Sequence, residues 1–329
     1  MSLARFPRLT VPLGCIVPVL LTICTTGFAF TGTAAAVILV VDDEAIVTPG
    51  LPAGTSTLAF TAVSADGQQM LLMSFFEFWS VAGSTWDAAA QQWRSPQVLE
   101  LGEDTGGASF SPDQNTMFFD GPGTRIFQSQ RLAPGLEPGS FGTGTLIDIP
   151  GAPSPQLGPF FNGRSMYFSD AVQLWQSDFN GSSGTFETAA MIDEINLTGS
   201  HATRAWVSED GDLMVFSQNR SGGLGGRDLY RARWNQNTQT WDDIKNLGPK
   251  VNSSADETMP SYAPGTQLLY FNRTVTGADR TTMQAPARII PEPSFAWLLL
   301  GSLLAALRWA RPMHHPQVHV NRMTAAVQT

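Results

Sequence analysis

Residues 205–216 read Ala205-Trp206-Val207-Ser208-Glu209-Asp210-Gly211-Asp212-Leu213-Met214-Val215-Phe216. An apolar run enters a Ser-x-Asp-Gly turn and leaves it in a second apolar run. Asp-Gly suits a two-residue hairpin, because both central residues tolerate positive φ. The run after the turn does not alternate. It is apolar on both faces, as expected of a strand packed between two neighbours.

The figure recurs along the chain. Upstream it stands as Ser64-Ala65-Asp66-Gly67 with Met70-Leu71-Leu72-Met73, and as Ser111-Pro112-Asp113 with Met117-Phe118-Phe119. It stands again as Phe161-Asn162-Gly163 with Met166-Tyr167-Phe168, and downstream as Ala263-Pro264-Gly265 with Leu268-Leu269-Tyr270-Phe271. Turn anchors at 66, 113, 162, 210 and 264 are spaced by 47, 49, 48 and 54 residues. A period near 48 matches one four-stranded propeller blade.

The expectation is an all-β propeller of five blades. A sixth would need a degenerate copy, for which Gly121–Gln156 leaves room. Asp66, Gly67, Asp113, Asn162, Gly163, Asp210, Gly211 and Gly265 are the repeat-turn residues. Asp113-Gln114 and Pro264-Gly265 depart from Asp-Gly, so those turns should differ in type. Ala45–Leu58 parallels Ile244–Met259 and should close the ring on the last blade, which lacks a clear fourth strand. Such closure removes exposed sheet edges.

The fourth copy continues as Ser217-Gln218-Asn219-Arg220, a Gly-rich turn through Gly222, Gly223, Gly225 and Gly226, and Asp228-Leu229-Tyr230. Asn246-Leu247-Gly248 follows. This order resembles the WD40-like propeller repeats of TolB and of outer-membrane-associated proteins. The match is strong over residues 205–273; earlier copies match at the hairpin and at aromatic positions. The resemblance implies recognition of a protein or surface polymer through the faces of the ring.

Composition agrees with short strands and many turns. Gly (31) and Pro (22) are abundant among 329 residues, and only 14% are charged. The whole chain carries −9. With five terminal arginines and Glu292 set aside, residues 37–290 carry fourteen cationic and twenty-seven acidic side chains, or −13. Lys245 and Lys250 are the only lysines. Such a chain has little with which to neutralise phosphates, so no nucleic-acid partner is expected.

The ends read as addresses. Arg5 and Arg8 precede an apolar stretch from Val11 to Phe30, and Ala34-Ala35-Ala36 supplies a small-residue cleavage pattern. Residues 1–36 are therefore expected to be a signal peptide, with an uncleaved anchor as the alternative. Both cysteines, Cys15 and Cys24, lie inside this stretch. The remaining chain has no disulfide and no thiol nucleophile.

At the other end stand Pro291, Glu292 and Pro293, then the apolar run Phe295–Leu307, then Arg308 and Arg311. That order resembles the PEP-CTERM sorting signal of Gram-negative bacteria. It implies an exosortase-type processing enzyme as partner, with the chain anchored in the inner membrane facing the periplasm before processing. After sorting the chain would be at the cell surface or extracellular. The arginines suit the cytoplasmic side by the positive-inside rule. The domain reading is thus signal peptide 1–36, propeller 37–290, sorting motif and transmembrane helix 291–311, and disordered cytoplasmic tail 312–329.

Little chemistry is visible. His201 is the one histidine between residues 37 and 290 and sits in no Gly-x-Ser-x-Gly context. The glycines near 222–226 lie between two strands, without a following helix or Gly-Lys-Ser/Thr, so they read as a turn and not a phosphate cradle. No cofactor is expected. Calcium binding by Asp210, Asp212 or Asp256 lacks the Asp-x-Asp-x-Asp-Gly spacing. Trp79, Trp86, Trp93 and Trp241 are the aromatics that strand packing does not claim. Two functions remain: a non-enzymatic binding propeller, or a secreted glycan hydrolase. The hydrolase needs at least two non-repeating carboxylates at one mouth of the axis.

Overall fold

The computed structural model describes residues 37–50, 58–75, 79–275 and 280–291. They fall within one compact unit, Ala36–Glu292. Among them all regular structure is β. The segments read as signal peptide, apolar C-terminal run and tail lie outside the described residues, as do Glu292, Pro293, Arg308 and Arg311.

Five antiparallel sheets follow one another along the chain. Blade 1 holds β3 (Ala59–Val63), β4 (Gln69–Phe75), β5 (Trp79–Asp87) and β6 (Gln92–Trp93), with β7 (Gln97–Val98) also on β5. Blade 2 holds β8 (Ala108–Phe110), β9 (Thr116–Gly121), β10 (Arg125–Gln130) and β11 (Thr145–Leu146). Blade 3 holds β12 (Leu157–Phe161), β13 (Ser165–Ser169), β14 (Leu174–Asn180) and β15 (Thr185–Phe186), with β16 (Ala190–Met191) also on β14. Blade 4 holds β17 (Ala202–Val207), β18 (Leu213–Gln218), β19 (Asp228–Asn235) and β20 (Thr240–Asn246). Blade 5 holds β21 (Asp256–Ala263), β22 (Leu268–Thr274) and β23 (Arg280–Pro291), completed by β1 (Val37–Val41). The first strands β3, β8, β12, β17 and β21 lie against one another in turn and close a ring. The chain is a five-bladed β-propeller. Gly121–Gln156 holds β10, β11 and a loop, not a sixth blade.

The second strand of each blade carries the packing, as its doubly apolar sequence predicts. In β4, Leu71 joins a core shared with blade 2, while Met70 and Leu72 join a core shared with blade 5. In β18, Met214 and Phe216 face blade 3, and Leu213 and Val215 face blade 5. One hydrophobic core fills each of the five interblade spaces. Runs of three or four large side chains at the centre of every second strand are the cause. Burial at about 25 cal/mol per Å² of apolar surface is the main stabilising term.

Ring closure corrects the expectation. The last blade takes its outer strand from Val37–Val41, each residue opposite one of Pro291 to Ala287. Of the described residues in Ala45–Leu58, Ile46 and Val47 pair with Gln284 and Met283 as β2 (Ile46–Val47) on the same edge of β23. Val37-Ile38-Leu39-Val40-Val41 is mostly β-branched, suits a strand, and buries Leu39 in the interblade core. The acidic Asp42-Asp43-Glu44 interrupts it. Asp42 accepts two hydrogen bonds from the Arg288 guanidinium at 2.6 and 2.7 Å, fixing the break against β23. The sheet also takes in Pro291, one residue past the expected limit of 290.

Asparagine side chains, two of them fully buried, clamp the main chain of neighbouring segments. Asn272 accepts from Phe60 N–H (3.0 Å) and donates to Phe60 C=O (2.7 Å), linking blade 5 to blade 1. Asn252 clamps Leu229 in the same way, and Asn196 clamps Leu174. Leu174 therefore stands in the third blade where Leu229 stands in the fourth.

Candidate functional site

Three of the five repeat turns are built by one device. In blades 1, 2 and 4, Ser64, Ser111 and Ser208 donate to the carboxylates of Asp66, Asp113 and Asp210 at 2.5 Å. The same serine oxygens accept the N–H of Gln69, Thr116 and Leu213. These loops span four residues between paired strand ends, not the two that the Asp-Gly reading predicts. Only the third residue of each loop takes positive φ: Gly67 at 72°, Gln114 at 60°, Gly211 at 81°. The serine–aspartate bond stabilises the wider turn and leaves the aspartate at negative φ. In blade 5, Gln267 takes the positive φ, and Gly265 instead packs on blade 1, its N–H donating to Ala65 C=O.

Blade 3 departs. Asn162 stands where the serine stands, and its Oδ1 accepts the N–H of Arg164 and Ser165. The loop shrinks to Gly163-Arg164, with Gly163 at φ 96°. Two residues are missing over this blade, and a groove of about 460 Å³ occupies the space. That volume lies in the ~300–1,000 Å³ range of small-molecule sites.

The groove's floor is aromatic. Phe161, Phe179 and Phe186 are half-buried and meet with centroids 5.1 to 5.9 Å apart. Phe161 also touches the buried Phe118 of blade 2 at 5.3 Å. Thr116 and Gln128 line the blade 2 side. Asp113 from blade 2 and Glu209 from blade 4 form the lips. The Ser111 hydroxyl and the Asn115 amide hold Asp113 below the usual carboxylate range. Arg164 is the one cation in the lining, and it donates to Asp210 C=O at 3.1 Å. The groove opens inward onto the axial mouth, a space of about 100 Å³ bordered by Val63, Phe110, Phe160, Trp206 and Tyr262.

The opposite end of the axis is closed. Arg204 sits on a bulge of β17 at φ 53°, which turns its side chain inward. Its guanidinium lies over Gly107 and Gly158, where added β-carbons would fall 1.9 and 2.1 Å from Arg204 atoms. Arg204 Nη1 is 4.0 Å from Asp120 Oδ1, which also accepts Gly158 N–H at 2.9 Å. Burial raises the Asp120 carboxyl, and Arg204 and that amide counter part of the rise. The remaining space here is about 20 Å³.

Glu209 is the carboxylate that borders the axial mouth itself, and Asp113 stands with it on the adjoining groove. Asp120 lies at the closed end and Glu209 at the open one. No group of three or more His, Cys, Asp or Glu side chains that could hold a metal ion comes together among the described residues. Asp228 caps the Gly-rich turn by accepting Leu224 and Gly225 N–H, and it accepts from Asn246 Nδ2. Gly225 and Gly226 let that turn lie against Ala255 and Asp256. Trp93 and Trp241 are core residues, Trp86 packs on Trp93, and Trp79 is exposed. None of the four lines the groove. His201 is exposed at the start of β17.

No family model and no curated protein sequence matches the chain. Solved structures do. A hypothetical protein from Leishmania major is 11% identical with a TM-score of 0.45, covering 76% of this chain and 92% of that one. The β-propeller domain of Myceliophteria thermophila Cps50 (Swd1) is 10% identical with a TM-score of 0.39, covering 69% and 83%. The xyloglucan PUL GH43B of Bacteroides ovatus is 12% identical with a TM-score of 0.45, covering 76% and 54%.

Proposed function

We propose that this chain is an exported, non-enzymatic β-propeller of TolB-like type that binds a protein or surface-polymer partner. In this reading the apolar run after Pro291 holds it in the inner membrane of a Gram-negative cell. An exosortase-type enzyme then processes it, and the propeller passes to the surface. The observation that supports binding is the groove over blade 3. Half-exposed phenylalanines with polar lips form a recognition surface, since aromatic residues are enriched at interface cores. Against hydrolysis, the carboxylate that shares the groove with Glu209 is Asp113, a repeat-turn residue held by the Ser111 hydroxyl, whereas glycoside cleavage uses a dedicated pair of carboxyl groups. The pairing of Val37 with Pro291 also supports the reading: both terminal segments could leave while the ring stayed closed.

The test is made in the cell. A photo-reactive phenylalanine analogue replaces Phe179, and an epitope tag is placed between the exposed Ser182 and Ser183. A discrete adduct from position 179, absent from the exposed Asn237 as control, is expected. The tag should reach the surface only when the exosortase is present. Hydrolysis of glycans by the purified protein, with no adduct, would replace this reading with the hydrolase.

A further inference from the structure

The groove's own chemistry narrows its partner, on the reading above that it binds one. We propose that it takes an extended peptide segment in which an aromatic or large aliphatic side chain stands beside lysine or arginine. The floor calls for the apolar side chain. Phe161, Phe179 and Phe186 meet one another edge-on, at 82° for two of the three pairs. They form a concave cluster that receives a side chain, not the flat ring platform on which a sugar stacks.

The lips call for the cation. Asp113 and Glu209 flank the floor from two different blades, and Asp210 adjoins Glu209. Arg164 alone opposes them, drawn toward Asp210 C=O. Opposite potentials across an interface steer encounter and select partners. The net −13 of residues 37–290 repels polyanions at longer range. The polar wall, Thr116 and Gln128, can hydrogen-bond a peptide main chain, which carries donors and acceptors at every residue.

The probes are two blocked heptapeptides, Ser-Gly-Lys-Phe-Lys-Gly-Ser and Ser-Gly-Glu-Phe-Glu-Gly-Ser, and a neutral β-glucan hexasaccharide. Binding to the full chain is measured by titration calorimetry. The lysine peptide should bind at least tenfold more tightly than the glutamate peptide. Glu209→Lys, at an exposed turn position, should bring the two within threefold. Phe179→Ala should weaken the lysine peptide at least tenfold, with Phe179→Leu recovering most of it. Equal affinity for the two peptides, no binding of either, or preference for the hexasaccharide would overturn the proposal. A cross-link from position 179 to a surface polymer would overturn it too, yet leave the binding reading standing. Absence of any adduct would remove both.

Discussion

Arg204 of blade 4 reaches across the axis to within 4.0 Å of Asp120 of blade 2, resting on Gly107 and Gly158. Burial raises the Asp120 carboxyl above its ordinary value. The folded state therefore holds that proton more tightly than the unfolded chain. Stability from this group falls as pH rises from the ordinary carboxylate value to Asp120's raised one, then levels. Asp113 and Asp243 are held low and contribute the opposite slope, below the ordinary value. Asp120→Asn should flatten the decline above pH ~4 in urea titrations. Arg204→Met should cost about 3 kcal/mol at neutral pH, and less as Asp120 protonates.

Closure of the ring rests on Leu39, which is 4% exposed between blades 4 and 5. Leu39→Ala should cost about 3 kcal/mol. A chain starting at Val37 should fold like one carrying residues 1–36. A chain starting at Asp43 should expose the β23 edge and aggregate, read by light scattering.

Asn272 serves the Phe60 main chain from the neighbouring blade. Its loss leaves two buried backbone groups unmet, at about 1–3 kcal/mol each. Asn272→Ala should lower stability by about 3 kcal/mol. Asn272→Asp should recover only the bond to Phe60 N–H.

Gly158 is at φ 58°, and an added β-carbon would fall 2.1 Å from Arg204 Cδ. Gly158→Ala should cost about 2 kcal/mol. In the Arg204→Ala background the clash is gone and only the backbone term remains, so the added cost should halve.

The period and the apolar second strands made the five blades legible in sequence. Large side chains at positions such as Leu71 and Phe216 have one use, which is to fill interblade space. The closing strand was misplaced because Val37–Val41 is an ordinary β-branched run with no turn motif beside it. The turn length was misread because Asp-Gly alone does not show the Ser64–Asp66 bond that sustains a four-residue loop. The groove was not legible: Asn162-Gly163 read as one more regular repeat turn, while Asp113-Gln114 and Pro264-Gly265 read as the departures. The serine–aspartate bond that lengthens the other loops carries no signal of its own in Asp-Gly. Asp120 and Arg204 carried no motif. Their signal was indirect: Gly106-Gly107 at the head of an innermost strand, and an arginine inside the run Ala202-Thr203-Arg204-Ala205.

The shortened third turn is the central element, and it can be restored. Replacing Asn162-Gly163-Arg164-Ser165 with the blade 1 sequence Ser-Ala-Asp-Gly-Gln-Gln rebuilds the four-residue loop and fills the groove. Partner capture from position 179 and the urea midpoint are then measured together. The account predicts that the adduct disappears while the midpoint is retained within experimental error. An undiminished adduct in a fully folded protein would contradict it.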